Sequence, residues 1–219
     1  MNHDYWLQRW QAGNTPWHLD AVMPLLEQHW PALDLPRDTR VLVPLCGRSL
    51  DMAWLAAQGH RVLGVELSPL AIAQFFDSQG LAPKTHEAAD GLHHVTDDIE
   101  IIQGDIFGLD DATLAGCGAV YDRAAIIALP EPTRTRYANE VYARLPTSSR
   151  GLMITFEYPQ AQMDGPPFSV EADEIHRLFE NHWSINLVER RDVLASLPLF
   201  RERGLTALHT AVYQLKRHS

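Results

Sequence analysis

From about residue 40 onward, short apolar runs rich in β-branched residues alternate with stretches of helical period. The first unit, residues 40–67, predicts a buried strand at 40–45, a helix with Ser49 as its N-cap and Gly59 at its end, and a second strand at 61–67. Repeated strand–helix–strand units fold into a mostly parallel sheet with helices on both faces. The alternation therefore predicts an α/β fold.

The rest of the chain continues this rhythm. Two late apolar runs lack a crossover helix between them, which favours an antiparallel hairpin at one edge of the sheet. Nothing in the sequence has the composition of a linker or a repeat, so we expect one domain over residues 1–219, with residues 1–30 as an N-terminal lid. The remaining predicted strands are 99–104, 119–123, 151–158, 184–190 and 207–215. The remaining predicted helices are 69–79, which Ser68 caps and Gly80 ends, 132–145 and 171–181.

Two stretches, 84–98 and 159–170, have no regular pattern of apolar residues. The second follows a predicted strand and is rich in Pro and Gly. Loops after the carboxyl ends of strands hold the ligands of open α/β sheets. We therefore expect 159–170 to be a wall of the substrate site, and the role of 84–98 stays open.

The charge of the chain argues against several classes of partner. With 28 acidic and 18 basic side chains the formal net charge is -10, which repels nucleic acids and anionic membranes. The first residues show no pattern of a signal peptide, and no apolar run reaches the roughly 20 residues of a membrane span. These features predict a cytoplasmic protein, which we expect to be monomeric, with a small molecule as its partner.

The turn after the first predicted strand contains one glycine, Gly47. A dinucleotide fingerprint needs three glycines, the second so that the backbone can approach the pyrophosphate. Ser49 and Met52 occupy the second and third positions, which disfavours a nicotinamide enzyme. Glu66 nevertheless closes the next strand, where a carboxylate can accept hydrogen bonds from ribose hydroxyls. The implied ligand has a ribose and no diphosphate.

S-adenosylmethionine fits this description, because it joins adenosine to an amino acid through a sulfonium. The turn can offer backbone carbonyls near Leu45 to the ammonium group of that ligand. The sequence GDIF at 104–107 ends the next predicted strand, and it can present Asp105 and Ile106 to the adenine edge. Together with Gly47 and Glu66, these residues predict a donor site for methyl transfer.

Five separated segments resemble one known family. They are RWQAGNTPWH (9–18), VLVPLCGRSLDMAWLAAQGHRVLGVELS (41–68), GDIF (104–107), YDRAAIIALP (121–130) and GPPFSV (165–170). In this order they are similar to bacterial thiopurine S-methyltransferases. The resemblance implies a class I methyltransferase fold with seven strands. It also implies methyl transfer from S-adenosylmethionine to aromatic or heterocyclic thiols such as thiopurines, a detoxifying reaction that some members extend to selenium or tellurium compounds, hence to tellurite resistance.

The resemblance also assigns candidate residues. Trp10, Leu45, Glu66 and Arg123 occupy the positions at which the family binds the methyl donor, and Arg123 is the candidate for catalysis. Arg201 and Arg203 lie in a late connection in which the family can have a second arginine on the substrate side. The simpler interpretation is that both are solvated surface charges.

Other interpretations of these residues remain. His93 and His94 lack partners at the spacing of zinc ligands, so we predict no metal. Cys46 could be a nucleophile, but no base is placed to activate it, so we interpret it as a buried thiol. A methyltransferase with another small acceptor, or a non-enzymatic sensor of S-adenosylmethionine, is the alternative function.

Overall fold

The computed structural model describes residues 3–219 of the 219-residue chain. Its strands are β1 (Arg40–Pro44), β2 (Arg61–Glu66), β3 (Lys84–Ala88), β4 (Gly91–Val95), β5 (Ile99–Gln103), β6 (Ala119–Arg123), β7 (Arg150–Glu157), β8 (Trp183–Asp192) and β9 (His209–Arg217). They form one nine-stranded sheet in the order β3-β4-β5-β2-β1-β6-β7-β9-β8.

Helices connect these strands. They are α1 (His3–Gln11), α2 (Pro24–His29), α3 (Asp51–Ala57), α4 (Pro69–Gln79), α5 (Asp111–Ala115), α6 (Glu131–Glu140), α7 (Ala172–Phe179) and α8 (Pro198–Glu202). Within residues 3–219, none of the helices combines the length and the apolar character that a membrane crossing requires.

The centre of the sheet is parallel. Strands β5, β2, β1, β6 and β7 run in one direction, while β9 and β8 add an antiparallel pair after β7. The predicted α/β fold with C-terminal antiparallel strands is confirmed. The chain reverses its direction of travel across the sheet between β1 and β6, and the carboxyl ends of these two neighbours create a crevice of the kind that binds ligands.

The sheet has two strands more than the predicted seven, because the stretch 84–98 adds an antiparallel hairpin at one edge. β4 pairs with β5, and β3 pairs with β4 at the edge of the sheet. Every residue of β3 is exposed. An edge strand with no buried face has no apolar alternation, so the pattern that reveals other strands is missing here.

Alternation along β1 supplies both layers of the core. Leu42 packs in the cluster on one face of the sheet, whereas Val41 and Val43 pack in the cluster on the other face. Burying a side chain of this kind stabilises the fold by about 1.5–3 kcal/mol. β1 is therefore covered on both faces, and the residues that follow it emerge from a rigid strand.

The helix ends largely follow the sequence. Ser68 caps α4 by accepting a hydrogen bond from the amide of Ala71 at 3.2 Å, and Gly80 ends the helix with φ of 64°. The prediction for α3 needs a correction, because the N-cap is Leu50 and not Ser49. The hydroxyl of Ser49 instead accepts a hydrogen bond from the amide of Asp51 at 3.3 Å.

A charged cluster joins the added hairpin to β5. The ring of His93 contacts Glu100 through Nδ1 at 2.6 Å and Asp90 through Nε2 at 2.8 Å, and Arg40 pairs with Glu100 at 2.6 Å. Burial alone would lower the pKa of His93, but the hydrogen bonds and charges of Asp90 and Glu100 outweigh it and raise the pKa above 6.5. The protonated ring therefore stabilises this edge of the sheet.

We predict that replacing His93 makes stability depend on pH in one direction. A raised folded-state pKa contributes stability that is complete below the unfolded value and is lost as the pH rises through the folded value. His93→Gln should lower the free energy of unfolding by about 1.5–3 kcal/mol at low pH, and by less at high pH. Urea unfolding at pH 6 and pH 9 measures the difference. His176→Gln, an exposed substitution on α7, is the control, and a loss for His93→Gln that is the same at both pH values would contradict the prediction.

Candidate active site

The candidate site lies where β1 and β6 end side by side. Leu45 follows β1 with φ of 48°, and Ala124 follows β6 with φ of 66°. Residues with side chains rarely adopt this left-handed conformation, which costs about 1–2 kcal/mol. Such strain is concentrated at functional sites, where the surrounding structure maintains it. Both residues line the same cavity.

Glu66 connects the turns that follow β1 and β2. Its Oε2 accepts a hydrogen bond from the amide of Gly47 at 2.9 Å, and its Oε1 accepts one from the amide of Ser68 at 2.8 Å. Burial raises the pKa of Glu66, and these backbone N–H groups act in the opposite direction by stabilising the carboxylate. Each oxygen has a further lone pair, and Glu66 lines the cavity, so the carboxylate can also accept hydrogen bonds from a ligand.

The N-terminal segment covers this turn. Trp10 on α1 is 5% exposed, and a Cβ at Gly47 would lie 3.1 Å from Trp10 Cζ2. Gly47 also has φ of 54°, so both its conformation and its contact with the indole favour glycine. The rings of Trp6 and Trp10 each meet Trp17 edge-on, at centroid distances of 5.3 Å and 5.9 Å. Residues 1 and 2 of the predicted lid lie outside the described residues.

Arg123 joins the end of β6 to the N-terminal segment. Its Nη1 donates a hydrogen bond to the carbonyl of Trp17 at 2.8 Å, and its Nε lies 3.6 Å from Asp51 Oδ2. The side chain is 15% exposed and lines the cavity. A guanidinium has five N–H groups, so these two contacts leave donors free for a ligand.

Sequence reasoning missed Asp51 and Tyr121, two buried residues that contact each other beside Arg123. Tyr121 Oη donates a hydrogen bond to Asp51 Oδ2 at 2.9 Å, and both side chains are buried. The only sequence signal was an acidic residue in the first turn of the helix that follows Gly47. That position is equally typical of a residue that favours a helix N-terminus.

Asp105 and Ile106 are not among the residues that line the cavity. Asp105 pairs with His3 at 3.0 Å and accepts a hydrogen bond from the amide of Phe107 at 3.1 Å. The side chain of Ile106 is fully buried in the core. The structure therefore brings Trp10, Leu45, Gly47, Glu66 and Arg123 together around one cavity, which the other two predicted residues do not line.

The cavity has a volume of about 600 Å³ and extends well beyond the turn that follows β1. Its far wall is mostly apolar and contains an edge-on ring pair, Phe156 and Phe200, with centroids 5.6 Å apart. Arg203 belongs to this wall and Arg201 does not. The far wall consists of Ile154, Thr155, Phe156, Pro166, Pro167, Arg191, Val193, Ser196, Leu197, Leu199, Phe200, Arg203 and Thr210, two of which come from the predicted substrate loop 159–170.

Two other candidate chemistries find no support in the described chain. Residues 3–219 contain no group of three or more His, Cys, Asp or Glu side chains that could hold a metal ion. Burial and the charge of Glu66 raise the pKa of the Cys46 thiol well above its usual value. A protonated, buried thiol is a poor nucleophile, so Cys46 serves packing beside the turn.

Comparison with known proteins decides the family. The family model for thiopurine S-methyltransferase (TPMT) matches residues 1–218. The chain belongs to this family. Thiopurine S-methyltransferases depend on S-adenosylmethionine, so the predicted enzyme class and methyl donor are confirmed.

Similar chains support the family and the fold. A thiopurine S-methyltransferase of Xanthomonas axonopodis pv. citri is 58% identical over 217 residues, covering 99% of this chain and 100% of the relative. One from Bordetella parapertussis is 56% identical and covers 99% of each chain. The solved structure of a 1,6-didemethyltoxoflavin-N1-methyltransferase of Burkholderia thailandensis, 19% identical, has a TM-score of 0.65 and covers 99% of this chain and 87% of that one.

The fold extends to more distant enzymes. The N-methyltransferase NodS of Bradyrhizobium japonicum WM9 was solved in complex with S-adenosyl-L-homocysteine. It is 13% identical, with a TM-score of 0.64 and complete coverage of both chains. At this identity the likeness shows a shared fold and nothing more.

We predict that Gly47→Ala destabilises the protein more than Gly80→Ala does. Both glycines have a similar positive φ, which costs an alanine about 1–2 kcal/mol. A Cβ at Gly80 meets open space, whereas one at Gly47 also meets the ring of Trp10. Urea unfolding of both variants isolates the cost of this contact. Equal losses would show that Trp10 moves aside freely.

Proposed function

We propose that Trp10, Leu45, Gly47, Glu66 and Arg123 form the donor site of an S-adenosylmethionine-dependent thiol methyltransferase. The observation that carries this proposal is their meeting in one cavity at the carboxyl ends of β1, β2 and β6. The arrangement fits the donor, because Glu66 can accept hydrogen bonds from a ribose and Arg123 can bind a carboxylate.

The backbone and the aromatic cover suit the other parts of the donor. The left-handed turn at Leu45 supports the proposed contact of a backbone carbonyl with the ammonium group. Trp10 closes the site above Gly47 and helps to exclude water. Asp105 and Ile106 stay proposed as neighbours of the adenine. Because the side chain of Ile106 is buried in the core, its backbone amide is the group left for that contact.

Positioning is the main task of the protein in this reaction. S-adenosylmethionine, when bound, supplies a methyl group on a cationic sulfur, and a thiolate displaces a neutral thioether from it in line. Holding the acceptor in this alignment is worth about 7–11 kcal/mol. The chain supplies the apolar wall around Phe156 and Phe200 for an aromatic ring, and Arg123 at the end of β6 as a cation that lines the same cavity. Arg123 thereby favours the ionised form of the acceptor thiol.

We propose aromatic and heterocyclic thiols as the acceptors, with thiopurines among them. Flat rings fit against an apolar wall, and a ring that acidifies its thiol delivers the nucleophile already ionised. The same soft, polarisable nucleophile chemistry extends the proposal to selenium and tellurium compounds and to a detoxifying role in the cytoplasm.

Methyl transfer to a thiol tests the proposed function directly. The protein should transfer labelled methyl from S-adenosylmethionine to an aromatic thiol, and Arg123→Ala should lower kcat/KM by at least about tenfold, since one bidentate contact to an anion is lost. Arg123→Lys keeps the charge and loses the planar fork, so its loss should be smaller. Binding of the donor without methylation of any thiol would favour a sensor and contradict the proposal.

A second prediction concerns the far wall of the cavity. Among residues 3–219, the only polar contact of the Arg203 side chain is with Met163 Sδ at 4.0 Å, so the guanidinium is available to an acceptor. Arg203→Gln should raise the KM of an aromatic thiol that carries a carboxylate by about tenfold and leave that of an uncharged aromatic thiol within about threefold.

Arg201→Gln is the matched control, because Arg201 is exposed and does not line the cavity. It should leave both KM values unchanged. Equal effects of Arg201→Gln and Arg203→Gln would show that Arg203 is a solvated charge.

A further inference from the structure

Asp51 is a buried carboxylate directly behind Arg123. It lies in the first turn of α3 and is 1% exposed. Oδ1 accepts a hydrogen bond from the amide of Met23 at 2.8 Å. Oδ2 accepts one from Tyr121 Oη at 2.9 Å and lies 3.6 Å from Arg123 Nε. A buried charge is tolerated only when it is paired and hydrogen-bonded, and all of these partners are therefore needed.

Tyr121 acts as a hydrogen-bond donor to Asp51. Burial and the charge of Asp51 raise the pKa of Tyr121 well above its usual value, so the hydroxyl keeps its proton. His18 also lies close by, where burial and the charges of Arg48 and Arg123 lower its pKa. Arg123 lies 3.6 Å from Asp51 and also lines the cavity.

Asp51 and Arg123 bind the same N-terminal segment. The segment, residues 12–23, runs between α1 and α2 and passes over the donor turn. Arg123 donates to the carbonyl of Trp17 in this segment, and Asp51 accepts from the amide of Met23 at its end. The contacts that hold residues 12–23 in place and those that orient the Arg123 guanidinium are therefore connected through Asp51.

We propose that Asp51 is a positioning residue that acts through Arg123, coupling closure of residues 12–23 over the donor to orientation of the guanidinium toward the acceptor thiol. This inference rests on the proposed role of Arg123 in methyl transfer. It assigns to Asp51 a function beyond packing, because a packing role would not make the loss of activity depend on the acceptor.

Two variants test this role by removing different contacts of Asp51, one to Arg123 and one to Met23. Asp51→Asn keeps the shape of the side chain and removes the charge that faces Arg123. Met23→Pro removes the N–H that donates to Asp51, and the φ of Met23, -64°, already suits proline. Asp77→Asn, an exposed substitution on α4, is the matched control.

Steady-state rates at saturating donor, with aromatic thiols of graded pKa, give the first readout. Asp51→Asn and Met23→Pro should each lower kcat by about tenfold for weakly acidic thiols, which need Arg123 to ionise, and by less than about threefold for thiols already ionised. Because Arg123 also belongs to the proposed donor site and residues 12–23 close over the donor, the donor Kd should rise in both variants, so kcat is compared at saturating donor. Asp77→Asn should match the unmodified protein.

Hydrogen exchange gives the second readout. With donor bound, protection of amides 17–23 should fall in Asp51→Asn and Met23→Pro and stay unchanged in Asp77→Asn. Equal loss of kcat for all thiols, or a loss removed by raising the donor concentration, would overturn the inference. If Asp51→Asn does not fold, Met23→Pro alone decides it by the same outcomes. Failure of the unmodified protein to methylate any thiol would instead overturn the proposed function.

Discussion

The carboxylate of Glu66 is the interaction on which the rest of the candidate site depends. By accepting hydrogen bonds from the amides of Gly47 and Ser68, it holds together the turns that follow two neighbouring parallel strands. Those N–H groups offset part of the desolvation of this buried group, which both bridges the two turns and lines the cavity as a hydrogen-bond acceptor. Removing it would leave two buried donors without a partner.

A second group of contacts completes the site around this bridge. Left-handed backbone at Leu45 and Ala124 turns the chain away from β1 and β6, and the cavity forms between the turns. Arg123 and Asp51 then hold the N-terminal segment across it. The site thus combines a rigid floor, made by strand ends, with a cover attached through few polar contacts, which is the usual distribution of stability in enzymes that close over a ligand.

Local signals predicted the fold and part of the site. The parallel strands, the cap of α4 at Ser68 and the places of Gly47 and Glu66 at two strand ends follow from patterns within about twenty residues of sequence. The hairpin of β3 and β4 escaped prediction because its exposed edge strand has no apolar face. Asp105 and Ile106 do not line the cavity, and a motif at a strand end does not specify the direction of its side chains, so their part in binding stays a prediction.

The sequence by itself determined the α/β class, the family and the residues of the turn after β1, because apolar period, glycine placement and motif order are local properties. Only the tertiary structure decided that Arg123 meets Trp17 and Asp51, and that Arg203 and not Arg201 reaches the cavity. These contacts join residues that are distant in the chain. The packing of strands and the path of the N-terminal segment bring them together, and no local pattern encodes that geometry.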